Sequence, residues 1–167
     1  MIIYHSQEFG NTEACAHLIT EGIDSVGGID VEMINTNVAQ RVDMNALSAC
    51  DGVAIGSPDY ASYVAGTIKQ LFDDMYVAAK TGLVFRGKPC VLFMTHGGGG
   101  AAIKPFRSMA RSFRLVAEPY VCQGAPAKCC PEAVELGRAL AKAVEGGART
   151  CSATTMRATQ RSRRSTR

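Results

Sequence analysis

The chain has 167 residues, 47% hydrophobic and 20% charged, enough for one domain with a sizeable buried core. Those fractions lie near globular averages and exclude collagen-like, coiled-coil and wholly disordered chains, and no apolar run approaches the roughly 18 residues of a membrane span. The net charge of +3 is unevenly spread: residues 149–167 hold six arginines and no acid, leaving 12 of the 18 basic residues against 15 acids, a body at −3.

A mildly acidic body argues against nucleic acid as a partner, because phosphate contacts need a basic face. The Arg-, Ser- and Thr-rich end cannot bury enough surface to fold alone. One domain over residues 1–147 and a basic, disordered tail over 148–167 are therefore expected. The opening Met1-Ile2-Ile3-Tyr4-His5-Ser6 lacks the basic flank and long apolar stretch of a secretory signal. The seven cysteines form an odd set with no Cys-x-x-Cys spacing, which suits a reducing compartment and predicts no metal site. Cys15, Cys50 and Cys90 read as core thiols, and adjacent Cys129 and Cys130 are the pair to flag as redox-sensitive. A cytoplasmic protein is the expectation.

In chain order, Ile2 to His5 predicts a first strand and Thr12 to Val26 a helix with Cys15, Leu18, Ile19 and Gly22 on one stripe. Ile29 to Ile34 predicts a second strand, and Met44 to Ala49 a short helix. Gly52 to Gly56 is a compact strand suited to burial on both faces. Ile68, Leu71, Phe72, Met75 and Ala79 recur at helical spacing. Pro89 opens a fourth strand, Cys90 to Met94, and Ile103 to Phe113 predicts a fourth helix with Pro105 in its first turn. A last strand between Leu115 and Cys122 and a helix from Pro131 to about Val144 complete the series. Strands alternating with helices predict a doubly wound α/β fold, a five-stranded parallel sheet with helices on both faces. Such sheets bind ligands beyond the carboxyl ends of their strands, where strand order reverses.

Three segments at those ends carry the chemistry. After the first strand, Ser6-Gln7-Glu8-Phe9-Gly10-Asn11-Thr12 leads into a helix, whose free N–H groups and dipole favour an anion. Gly10 lets the backbone curl close, and Ser6, Asn11 and Thr12 offer side-chain hydrogen bonds. The alternative is that Ser6 and Thr12 merely cap the helix. The loop holds no Lys or Arg and lacks the Gly-Lys-Ser/Thr ending of nucleoside-triphosphatases. After the third strand, an eleven-residue loop from Gly56 to Gly66 carries Tyr60 and Tyr63, whose flat faces suit an aromatic ligand. Tyr60 is the expected ring contact, and Tyr63 is left open. After the fourth strand, Thr95-His96-Gly97-Gly98-Gly99-Gly100 places four glycines where main-chain amides lie directly against a ligand.

Ser6-x-x-x-Gly10-Asn11-Thr12 resembles the phosphate loop of flavodoxin-like proteins. Gly56-Ser57-Pro58 through Gly66-Thr67-Ile68 to Asp73 is similar to the flavin-ring loop and following helix of NAD(P)H:quinone oxidoreductases of the tryptophan-repressor-binding-protein type. The likeness covers about residues 1–146 and implies strand order 2-1-3-4-5 and noncovalent FMN. It implies that Ser6, Gln7, Gly10, Asn11 and Thr12 hold the phosphate. Pro58, Asp59, Tyr60 and Ala61 would line the isoalloxazine, and Thr95, His96, Gly97, Gly98 and Gly99 would meet its other edge. No side chain is assigned a catalytic role, since the flavin carries the redox chemistry.

The expected function is an FMN-dependent oxidoreductase taking hydride from NAD(P)H and passing electrons to a quinone-like or other small acceptor. The alternative is a flavodoxin-type electron carrier between redox proteins. Either is compatible with a homo-oligomer. A response-regulator-like switch would need an acidic phosphoacceptor at the end of the third strand, where Gly56-Ser57 stands instead.

Overall fold

Successive residues of the central strands are buried on opposite sides of one sheet, which is why those strands read as unbroken apolar runs. The computed structural model describes residues 1–126 and 130–162, with side chains as far as residue 147. Its elements are β1 (Ile2–Tyr4), α1 (Asn11–Asp24), β2 (Met33–Asn35), α2 (Thr36–Ala39), α3 (Met44–Ala49), β3 (Val53–Tyr60), β4 (Tyr63–Val64), α4 (Gly66–Lys80), β5 (Pro89–His96), α5 (Ile103–Met109), β6 (Arg114–Leu115), β7 (Tyr120–Gln123) and α6 (Pro131–Ser162). The sheet runs β2-β1-β3-β5-β6, with β7 also beside β5, and these pairings are all parallel. This is the expected 2-1-3-4-5 order with its fifth strand divided in two.

Ile3, Ile55 and Leu92 face one side, where they pack with Ile68 and Phe72 of α4 and Phe106 of α5. Phe72 and Phe106 meet edge to face, centroids 6.2 Å apart. Ile2, Ala54 and Val91 face the other side, against Ile19 of α1 and Leu136 and Leu140 of α6. There α1 and α6 touch backbone to backbone. A Cβ built on Gly22 would lie 2.0 Å from Val134 O, and one on Gly137 would lie 2.0 Å from Ile19 O. Only glycine permits so close an approach at either position.

Several boundaries differ from expectation. The second strand is confined to Met33–Asn35 rather than Ile29 to Ile34, although Ile2 N still bonds Glu32 O at 2.7 Å. β3 runs four residues past Gly56 and turns back into β4, so the eleven-residue loop is largely a hairpin. The fourth helix shortens to Ile103–Met109, followed by a 3-10 turn over Ala110–Ser112. α2 was not foreseen; Asn35 caps it by accepting from Asn37 N at 3.0 Å. The fifth strand breaks around Pro119, which has no N–H to give a ladder. α6 continues past Val144 to Ser162. Of the expected tail, residues 163–167 lie outside the described residues, as does Cys129. Among the described residues no helix is long and apolar enough to cross a membrane.

Candidate functional site

The carboxyl ends of β1, β3 and β5 open onto one cleft of about 290 Å³. It lies where strand order reverses between β1 and β3. The first loop contributes Ser6, Gln7, Gly10, Asn11 and Thr12; the second Pro58, Asp59 and Tyr60; the third Thr95, His96 and Gly97. Three expected residues are not brought to its wall. Ala61 is drawn into the turn between β3 and β4, and Gly98 and Gly99 stand exposed beyond the rim. Phe9 and Gly124 line it unforeseen. Phe9 is 81% exposed, and an apolar ring so placed in a polar loop was the available signal. Gly124 arrives only because its N–H bonds His96 O at 2.8 Å, a long-range contact no local pattern announces.

The anion end is built around the start of α1. Gly10 takes φ +65°, a left-handed conformation that favours glycine, and serves as N-cap without any side-chain cap bond. The first intrahelical bond runs from Ala14 N to Gly10 O, leaving the N–H groups of Asn11, Thr12 and Glu13 without intrahelical acceptors. Neither hydroxyl caps the helix. Thr12 Oγ1 lies 2.8 Å from Thr95 Oγ1, a buried bond joining the first and third loops. Ser6 is 4% exposed, and its Oγ is buried with no partner at all. The backbone of Ser6 is held by Asn35, whose Oδ1 accepts from Ser6 N and whose Nδ2 donates to Ser6 O, both at 3.1 Å. An orphaned hydroxyl on a clamped backbone, beside three free amides, is a preformed neutral cradle for an anion.

The second loop is held firmly. Ser57 Oγ accepts from Ala65 N at 2.9 Å and donates to Pro58 O at 2.7 Å. Asp59 pairs with Val64 and Tyr60 with Tyr63, leaving Ala61 and Ser62 as a two-residue turn at φ +51° and +63°. Positive φ at both positions matches the twist of a tight hairpin, yet neither residue is the Asn or Gly that such turns favour. The turn presents Tyr60 to the cleft, its hydroxyl donating to Gln7 Oε1 at 3.4 Å. Tyr63 points away, its hydroxyl 3.8 Å from Met109 Sδ. The Asp59 carboxylate accepts from Ala102 N at 3.2 Å, tying the second loop to the start of α5. In the third loop, His96 Nδ1 is a second buried atom without a partner.

The cysteines stand apart from this chemistry. Cys15 and Cys90 are fully buried, and burial pushes the Cys15 thiol up to about 12. Cys130 Sγ lies 2.8 Å from Tyr120 Oη. A larger concavity of about 630 Å³ lies between α4, the segment 83–86 and α5, but its apolar wall includes no helix start and no orphaned polar atom.

An open parallel sheet in this strand order with a donor-lined cleft at its switch point is the architecture of the flavodoxin-like fold. The family model described as NADPH-dependent FMN reductase matches residues 41–117. The flavodoxin of Aquifex aeolicus is 32% identical over 100 residues, 60% of this chain and 51% of the relative, so the chain spans about half that relative's length. The two-electron reduced flavodoxin of Megasphaera elsdenii superposes with a TM-score of 0.69 at 26% identity, over 85% of this chain and 99% of that one. A flavodoxin, WrbA-like protein from Agrobacterium tumefaciens shares the fold, with a TM-score of 0.67 at 15% identity over 89% and 96% of the two chains. The chain has the flavodoxin-like fold and is similar in sequence to flavodoxins and, over residues 41–117, to NADPH-dependent FMN reductases.

Proposed function

We propose that this protein is an FMN-dependent oxidoreductase that takes hydride from NAD(P)H and passes electrons to a quinone-like or other small acceptor. The observation that carries the reading is the orphaned Ser6 Oγ beneath the open start of α1. A single phosphate fits there, held by neutral donors, because among the described residues no Lys or Arg lines the cleft. Bound FMN supplies a two-electron acceptor that also passes electrons singly.

The chain's own groups do the rest. Ser6, Asn11 and Thr12 hold the phosphate, with Gly10 curved to bring the amides close. Tyr60 and Pro58 give the ring a flat, partly apolar seat, and the Gln7 contact holds the Tyr60 hydroxyl in place. Amides from Thr95 to Gly97 meet the opposite edge. The exposed ring of Phe9 limits water at the mouth.

The likeness to flavodoxins favours a second reading, an electron carrier between redox proteins. Stopped-flow mixing of FMN-loaded protein with NADH and with NADPH separates the two. Bleaching of the flavin band followed by reoxidation with a quinone is expected; no bleaching with either nucleotide overturns the enzyme reading in favour of the carrier. A protein that shows no heat on titration with FMN overturns both.

A further inference from the structure

His5 stands directly after β1, 4% exposed, and the reading above leaves it unused. Its Nδ1 lies 2.8 Å from Thr67 Oγ1, which lies 2.7 Å from Thr36 Oγ1. Thr36 Oγ1 in turn donates to Tyr4 O at 3.2 Å. Each threonine has one hydroxyl proton. Thr36 gives its proton to the carbonyl and so accepts from Thr67. Thr67 has then spent its own, so His5 Nδ1 must donate. The chain of three bonds fixes the neutral imidazole as the Nδ1–H tautomer and leaves Nε2 as a bare lone pair. That atom is buried and has no partner. The imidazole meets Tyr60 edge-on, centroids 5.8 Å apart and planes at 86°, and the Tyr60 side chain lines the cleft.

A buried, unpaired acceptor costs stability, and here the cost sits one ring away from the cleft where charge would arrive. We infer that His5 is a positioning residue that takes one solvent proton at Nε2 when the ring bound in the cleft receives a hydride. This rests on the FMN reading above. The hydride carries two electrons and one proton from a reduced nicotinamide, breaking its C–H bond and leaving it oxidised. Accepted by bound FMN, the hydride would leave one added negative charge in the cleft. One proton from solvent then forms an N–H bond at Nε2, and the new imidazolium balances that charge through space. The groups facing His5 are Tyr60 from β3, Thr67 from α4 and Thr36 from α2, none of them charged at neutral pH. Burial alone holds the imidazole below its ordinary value. Among the described residues no charged side chain faces the ring. The fixed charge near it would be the phosphate of bound FMN, present before and after reduction, so the comparison of oxidised with reduced FMN isolates the arriving charge.

Nitrogen NMR of the full chain tests this in three states: without FMN, with oxidised FMN, and with FMN reduced by NADH or dithionite. The expected result is the Nδ1–H tautomer in the first two states and a His5 titration about one pH unit or more higher in the third. The potential–pH profile of the loaded protein should show a break that disappears in His5→Asn, which keeps a donor for Thr67 but cannot titrate. An Nε2–H tautomer without FMN, or a titration unmoved by reduction, overturns the inference while leaving FMN binding intact. Failure to bind FMN removes the function reading and this one together. The wild-type spectra decide the matter even if His5→Asn does not fold.

Discussion

Thr12 and Thr95 share a buried hydroxyl contact of 2.8 Å that joins the first turn of α1 to the end of β5. One side chain belongs to the first loop and the other to the third, so the bond ties two walls of the cleft directly together. Their strands lie on either side of β3 in the sheet.

Breaking that pair from one side strands a buried hydroxyl. Thr95→Val should lower the unfolding free energy by about 1–3 kcal/mol, and the double variant with Thr12→Val should recover most of the loss. Urea unfolding of the four forms gives the coupling directly. A double variant no better than the sum of the singles would deny the bond its role.

Ser6→Ala should behave in the opposite manner. Its Oγ has no partner to lose, so stability without ligand should stay within about 0.5 kcal/mol of wild type. FMN affinity should fall about tenfold, the worth of one hydrogen bond to an anion. Calorimetry and thermal melts on the same samples separate the two effects.

Gly137→Ala probes the contact between α1 and α6. The new methyl would meet Ile19 O at 2.0 Å, which backbone cannot yield cheaply. A loss of about 1–3 kcal/mol or more is expected in chemical denaturation. Because α1 carries the anion end, FMN binding should weaken as well.

The turn at Ala61 and Ser62 is the place where stability can be gained. Both residues hold positive φ, and Asn and Gly adopt it with less strain. Ala61→Asn with Ser62→Gly should stabilise the fold by about 1 kcal/mol, read as a higher melting temperature.

Stability should depend on acidity through His5. Burial depresses its proton affinity below the ordinary imidazole value of 6.5, so the unfolded chain binds more protons than the native one just below that pH. Stability then rises with pH through this window and is lost as pH falls below about 6.5. His5→Asn should flatten unfolding free energy between pH 7 and 5.

Strand order and the location of the cleft were legible because they rest on local signals. Val53-Ala54-Ile55 and Val91-Leu92-Phe93 are apolar on both faces, and Gly10 precedes an apolar helical stripe. What escaped depends on partners distant in sequence. Ser57 draws β3 onward by bonding Ala65 N, and nothing in Ala61-Ser62 signals a hairpin, since neither residue favours positive φ. Asp59 lines the cleft as expected, but that its carboxylate accepts from Ala102 N is not legible, because the partner lies 43 positions away. His5 reads only as the end of the first strand until the two threonines, 31 positions apart, are seen to assign its proton.

The divided fifth strand bears on how copies of the molecule meet. That margin of the sheet offers two residues in β6 and four in β7, separated by a proline-bearing kink, and β2 at the other margin offers three. Margins so short and interrupted are poor templates for strand addition by a neighbour. Such margins would disfavour the stitching of sheets between crowded copies.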